Sequence, residues 1–147
     1  MSATGTISAV LQYKGAQVWT ISPDATVFDA ILLMTEKNVG ALLVLEGEAL
    51  LGLISERDYA RKVTLKGKSS KQTPVREICS SPLITITPSH TVEEGLRIMT
   101  HNRVRHLPIL EGGKLVGIVS IGDLVNWTIS AQSHTINQLE KYIAGQY

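Results

Sequence analysis

The chain has little that would lock it covalently or tie it to a membrane. Among its 147 residues there is a single cysteine, Cys79, so no internal disulfide can form, and a reducing, cytoplasmic location is expected. Long apolar runs are missing too. The longest, such as Ala41–Leu45, are strand-sized and far below the ~20 residues a membrane helix needs, so a soluble protein is expected. The first residues, Met-Ser-Ala-Thr-Gly-Thr-Ile-Ser, carry neither a basic stretch nor a long apolar one, which argues against secretion and membrane insertion. No charge sign dominates, with 14 Lys and Arg against 13 Asp and Glu. That balance speaks against a broad nucleic-acid or anionic-membrane surface and leaves room for a small anion held by a few local cations.

Signatures of catalysis and metal binding are equally sparse. Cys79 has no Cys-x-x-Cys partner, Gly112-Gly113 is not followed by a Walker-type Gly-Lys-Ser, and no nucleophile is accompanied by a base with an orienting partner. His101 and His106 fall on either side of an expected helix-to-strand boundary, with no carboxylate pattern beside them, so a metal site is not expected. The chain reads as a non-enzyme.

What is present is a pattern written twice, sixty-five positions apart and without a gap. Thr20-Ile21-x-Pro23-x-x-Thr26-Val27 returns as Thr85-Ile86-x-Pro88-x-x-Thr91-Val92, and Met34, Val39, Leu42, Glu46, Gly47, Leu50, Gly52, Ser55 and Asp58 return at Met99 through Asp123. Each copy, at roughly 60 residues, would be marginal alone, so the two are expected to share one core.

Each copy reads β-α-β-β-α, an α/β (α+β) architecture. In the first, a strand over Val18–Ile21 stops at Pro23; a helix capped by Thr26 runs to about Asn38; strands Ala41–Leu45 and Leu50–Ile54 flank a turn at Gly47; and a helix begins at Ser55 and continues through Tyr59, Ala60 and Val63. The second repeats this order with strand Leu83–Ile86, helix Thr91 to about Asn102, strands Leu107–Leu110 and Leu115–Val119, and a helix from Ser120. The expected boundaries are an N-terminal helical extension over 1–17, repeats over 18–64 and 83–127, a linker with a short helix over 65–82, and a helical tail over 128–147.

The residues closest to chemistry are Gly52-Leu53-Ile54-Ser55-x-x-Asp58 and Gly117-Ile118-Val119-Ser120-x-x-Asp123, each a buried strand running into a helix start. Two readings stand side by side. Ser-x-x-Asp is a capping box, in which hydroxyl and carboxylate satisfy backbone donors. The same geometry suits a phosphate at the helix N-terminus and a ribose on the aspartate.

With the Pro-x-x-Thr-Val starts, Val104-Arg105-His106-Leu107-Pro108-Ile109 and the two Gly-x-x-Ser-x-x-Asp segments in register, the chain resembles a tandem pair of CBS domains, a Bateman module, from about residue 18 to 127. The resemblance implies two repeats packed about a pseudo-twofold axis, with two clefts that take adenosine-containing ligands: AMP, ADP or ATP, with NAD as a further candidate and S-adenosylmethionine as another. It places Val18, Trp19, Thr20, Gly40, Ala41, Arg105, His106, Ser120 and Asp123 in one cleft. Ser55, Arg57, Asp58, Ile84, Thr85, Val104 and Arg105 fall in the other. Arg105, His106 and Arg57 are the cations expected to meet phosphate, and Trp19 either stacks on a base or packs in the core. The copies differ at Gly40/Arg105, Ala41/His106 and Arg57/Gly122, so unequal clefts are expected. The implied function is a regulatory adenine-nucleotide sensor that homodimerises through the helices after Ser55 and Ser120 and acts on an effector protein. The alternative is a structural dimerisation or docking module for an enzyme or transporter with no required ligand.

Overall fold

The short turn elements of the sequence set where each helix begins and ends. The computed structural model describes residues 5–15, 17–81 and 83–131. The chain divides into two compact units: Gln17–Ile84 forms one, and the segment before it joins Thr85 onward to form the other.

In the first unit, β1 (Thr20–Ile21) leads to α2 (Val27–Lys37), where Thr26 Oγ1 accepts from the Asp29 amide at 3.1 Å. Val27, Ala30 and Met34 recur at helical spacing and are buried, so this face of α2 packs inward. The helix ends at Asn38 in the left-handed region, φ 55°, which asparagine tolerates well. Strands β2 (Ala41–Glu46) and β3 (Ala49–Ser55) form an antiparallel hairpin, and β1 pairs with β2 in parallel, giving the order β1-β2-β3. A four-residue helix, α3 (Glu56–Tyr59), passes into a wider π-type turn over Ala60–Thr64, where one uniform helix was expected.

The second unit repeats these choices. α4 (Val92–Asn102) is capped by Thr91, buries Val92, Gly95 and Met99, and ends at Arg103 with the same φ of 55°. Strands β4 (His106–Glu111) and β5 (Lys114–Ser120) form the hairpin, and a helix, α5, covers 121–131. Even the irregularities recur: the ladder slips between Val44 and Leu45 in one hairpin and between Ile109 and Leu110 in the other. The expected tail lies outside the described residues beyond 131.

The expected strand Leu83–Ile86 is reduced to a single bridge, Ile86 to Ile109. The cause is Pro108. In the first unit the Leu43 amide donates to the Trp19 carbonyl at 3.2 Å, but at the matching place in the second unit Pro108 has no N–H to offer. The first strand likewise shrinks from Val18–Ile21 to Thr20–Ile21.

One shared core was expected; among the described residues each unit has a hydrophobic cluster of its own. Each is completed by the segment that precedes the other repeat. Helix α1 (Ile7–Lys14) puts Ile7 and Val10 among Ile86, Val92, Met99, Leu107, Ile109, Val119 and Leu124. Val75 and Ile78, from the short 3-10 turn Val75–Glu77 and its end, do the same among Val27, Met34, Leu42 and Ile54. The backbone bonds match: Ile7 N to His90 O and Ser8 N to Pro88 O in one unit, Val75 N to Ala25 O and Arg76 N to Pro23 O in the other. The apolar area these segments bury lets each unit hold its own core.

That packing explains Gly52 and Gly117. A Cβ at Gly52 would sit 2.8 Å from the Ser80 carbonyl oxygen and 3.0 Å from Cys79 Sγ, whereas at Gly117 it would meet the Leu11 side-chain tip at 2.8 Å. Backbone cannot give way as a leucine methyl can. Gly52→Ala is therefore expected to cost about 2 to 3 kcal/mol and Gly117→Ala about 1 kcal/mol or less, read by urea denaturation; equal losses would contradict the packing described. Among the described residues no helix is long and apolar enough to cross a membrane.

Candidate functional site

Both Gly-x-x-Ser-x-x-Asp segments fold the same way at first. β3 and β5 end in a serine of extended backbone, the serine Oγ accepts from the aspartate amide (3.2 Å at Asp58, 3.0 Å at Asp123), and the aspartate Oδ2 accepts from the serine amide (3.0 and 2.8 Å). Both are complete capping boxes. The first amide of each helix is also taken, Glu56 N by Gly40 O at 3.1 Å and Ile121 N by Arg105 O at 2.8 Å. The first and third helical amides, expected to face a phosphate, thus serve the fold. A phosphate at either helix start is left with the second amide and the nearby side chains.

The two aspartates then part ways. Asp58 is buried, and its carboxylate accepts from Ser55 N, Ser55 Oγ, Ser80 Oγ at 3.2 Å and Lys62 Nζ at 3.1 Å. A carboxylate has about four acceptor positions, so Asp58 is saturated. Asp123 accepts from Ser120 N and from Lys14 Nζ at 2.7 Å, both on Oδ2; Oδ1 has no hydrogen-bond partner among the described residues. Burial acts to raise the Asp123 pKa, but the hydrogen bond from Lys14, the Ser120 amide, the Lys14 charge and the Ser120 hydroxyl outweigh it, and the carboxyl lies below its ordinary range. It is ionised at neutral pH.

Around Asp123 the second unit gathers Arg105, His106, Ser120 and Lys14. Arg105 is exposed at the start of β4, and His106, half-buried, pairs across the hairpin with Ser120. Burial pushes the His106 imidazole below its ordinary 6.5; the Asp123 carboxylate pulls the other way, and Lys14 and Arg105 add to the lowering. His106, expected as a cation, is therefore a neutral hydrogen-bonding group at pH 7. Its sign in stability follows. The unfolded chain takes up a proton that the folded chain resists, so the contribution of neutral His106 is complete above about pH 6.5 and is lost as pH falls below it. His106→Gln should flatten that part of the stability–pH curve in urea denaturation from about pH 5 to 7.5; an unchanged slope would contradict the assignment.

The other expected residues are placed as follows. Trp19 is half-buried against the first unit's cluster, with Lys37 Nζ 4.5 Å from its ring centroid, so one face is already occupied. Thr20 pairs with Leu43, Ala41 lies opposite Ser55, and Val18 is half-buried. Arg57 is exposed on α3, Ile84 and Thr85 are exposed outside any strand, and Val104 packs against the second unit's cluster. An open groove of about 590 Å³ on the first unit runs between α2 and α3, past Met34, Asn38, Gly40, Glu56 and Tyr59. Among the described residues no three His, Cys, Asp or Glu stand close enough to hold a metal. Lys14 is the member that sequence reasoning missed. Its partner Asp123 is 109 positions away, and the repeat gives it no counterpart of like chemistry.

Comparison with known proteins places this geometry in context. The model of the CBS domain matches twice, over residues 14–64 and 75–130. The chain is 41% identical over 152 residues to a mitochondrial CBS domain-containing protein of Arabidopsis thaliana, covering 97% of this chain and 73% of that protein. It is 38% identical to a CBS domain-containing protein of Bacillus subtilis, covering 86% and 90%. A solved structure of a protein with CBS domains from Burkholderia ambifaria superposes with a TM-score of 0.84 at 45% identity, covering 87% of this chain and 96% of that one.

Proposed function

Because the chain belongs to the CBS-domain family, whose members are typically regulatory modules, we propose that it binds an adenosine-containing nucleotide at the half-site built around Asp123 and signals by a change of conformation or assembly. The observation that carries this reading is the unequal pair of aspartates. Among the described residues Asp123 keeps Oδ1 without a partner, beside Arg105 and the neutral His106, whereas Asp58 has spent every acceptor on its own unit. A ribose hydroxyl donates naturally to such a carboxylate, and the Arg105 fork suits a phosphate.

AMP, ADP and ATP fit this chemistry, and NAD presents the same adenosine. S-adenosylmethionine would forgo the phosphate contact. The signal requires that the ligand prefer one state over another, so a downstream effector protein or a change in a homodimer completes the mechanism. Apolar side chains on two helices, Phe28 and Leu32 of α2 and Ile121, Val125 and Ile129 of α5, are exposed and suit such a dimer contact.

The saturated Asp58 favours a second reading, a structural dimerisation or docking module for an enzyme or transporter with no required ligand. Calorimetric titration with AMP, ADP, ATP, NAD and S-adenosylmethionine separates the two. Micromolar to sub-millimolar binding of at least one is expected; no heat from any of them up to about 1 mM would leave the docking reading alone.

A further inference from the structure

Lys14 ends α1 and reaches into the half-site described above. Its ammonium lies 2.7 Å from Asp123 Oδ2 and 2.9 Å from the Ile118 carbonyl oxygen, and both charged side chains are 26% exposed. An ammonium has three N–H donors, so two acceptors leave one donor in hand; the carboxylate beside it keeps Oδ1. A spare donor next to a spare acceptor complements vicinal hydroxyls, each of which can donate and accept at once. An isolated phosphate would find the ammonium but be opposed by the carboxylate, so charge alone favours a neutral polyol here over an anion. The first unit shows what removes the property. Lys62 likewise bridges a carbonyl, Ile78 O at 2.9 Å, and a carboxylate, but Ser55 and Ser80 fill the remaining acceptors of Asp58.

We propose that Lys14 and Asp123 form one diol-binding pair, in which Lys14 donates to the ribose hydroxyls that Asp123 accepts from, and that this pair sets the preference for ribo- over 2′-deoxyribo-ligands. The inference rests on the nucleotide reading above and adds a recognition residue from outside both repeats. A consequence is built into the fold. Lys14 belongs to α1, whose Ile7 and Val10 are part of the second unit's core, so a diol bound by the pair also fastens α1.

Titration of the wild type, Lys14→Met and Lys14→Gln with AMP, 2′-deoxy-AMP and ribose 5-phosphate tests the pair, with circular dichroism to confirm folding. The wild type is expected to favour AMP over 2′-deoxy-AMP by about tenfold, and Lys14→Met to lose most of that preference and about tenfold in AMP affinity. Lys14→Gln, which keeps a donor, should fall between them and covers the case in which the methionine variant does not fold. If the wild type binds AMP but both variants keep its affinity and its ribo-to-deoxy ratio, the pair is overturned while the nucleotide reading stands. If ribose 5-phosphate binds in a Lys14-dependent way and AMP does not, the pair stands and AMP is ruled out as the ligand. Absence of binding by all three probes overturns the pair, while the nucleotide reading stands or falls by the titrations with ADP, ATP, NAD and S-adenosylmethionine.

Discussion

Replacement of Asp58 by alanine is expected to lower the stability of the chain by about 2 to 3 kcal/mol while leaving AMP affinity within about twofold of wild type. The substitution strips four donors of one buried acceptor. The Ser55 amide at the head of α3 loses its cap, the Ser55 and Ser80 hydroxyls lose a charged partner, and Lys62 is left bonded only to the Ile78 carbonyl. Ser80 makes the loss more than local. Its backbone pairs with Leu53 through bonds of 2.8 and 3.2 Å, so the carboxylate fastens the linker segment that completes the first unit's core. Urea denaturation measures the loss, and calorimetry of the still-folded variant measures the affinity. A drop in affinity much larger than the drop in stability would place Asp58 in a binding site instead.

Asp123→Ala is expected to do the reverse. Its cap and its bond to Lys14 are worth about 1 kcal/mol of stability, since both partners are partly solvated and a cap of this kind contributes about that much. AMP affinity, by contrast, should fall by about 2 kcal/mol, roughly 30-fold, the cost of removing a charged acceptor from a ribose hydroxyl. The stability loss appears with or without ligand. The affinity loss appears in titrations at a temperature where both proteins are fully folded. Unchanged affinity together with lost helix content would leave capping as the only role of this residue.

Much of the fold was legible because the repeat is gapless. The caps at Thr26 and Thr91, the helix ends near Asn38 and Asn102 and the hairpin glycines fall at matched positions and follow from local chemistry. Three features were not legible. The exchange of α1 and the Val75 segment between repeats follows a frame three residues longer than the main repeat, matching Ile7 to Val75 and Ser8 to Arg76, residues with too little likeness to reveal it. The loss of the strand before Ile86 turns on one missing N–H at Pro108, whose partner is remote in sequence. In the site, the serine and aspartate of Ser55-x-x-Asp58 and Ser120-x-x-Asp123 match, and the differing residues between them, Glu56-Arg57 and Ile121-Gly122, do not show which carboxylate is filled. What separates them is how many donors reach each carboxylate, and those donors, Lys14, Lys62 and Ser80, lie outside the motif. The lowered pKa of His106 was not legible for a related reason, because its burial comes from tertiary packing.

The most direct test of the unequal half-sites is the stoichiometry of AMP binding, measured by calorimetry on the wild type at a protein concentration well above the dissociation constant. About one AMP per chain is expected, its affinity lowered about 30-fold by Asp123→Ala and kept within about twofold by Asp58→Ala. Two equivalent sites per chain, or a single site that keeps its affinity in Asp123→Ala and is lost in Asp58→Ala, would contradict it.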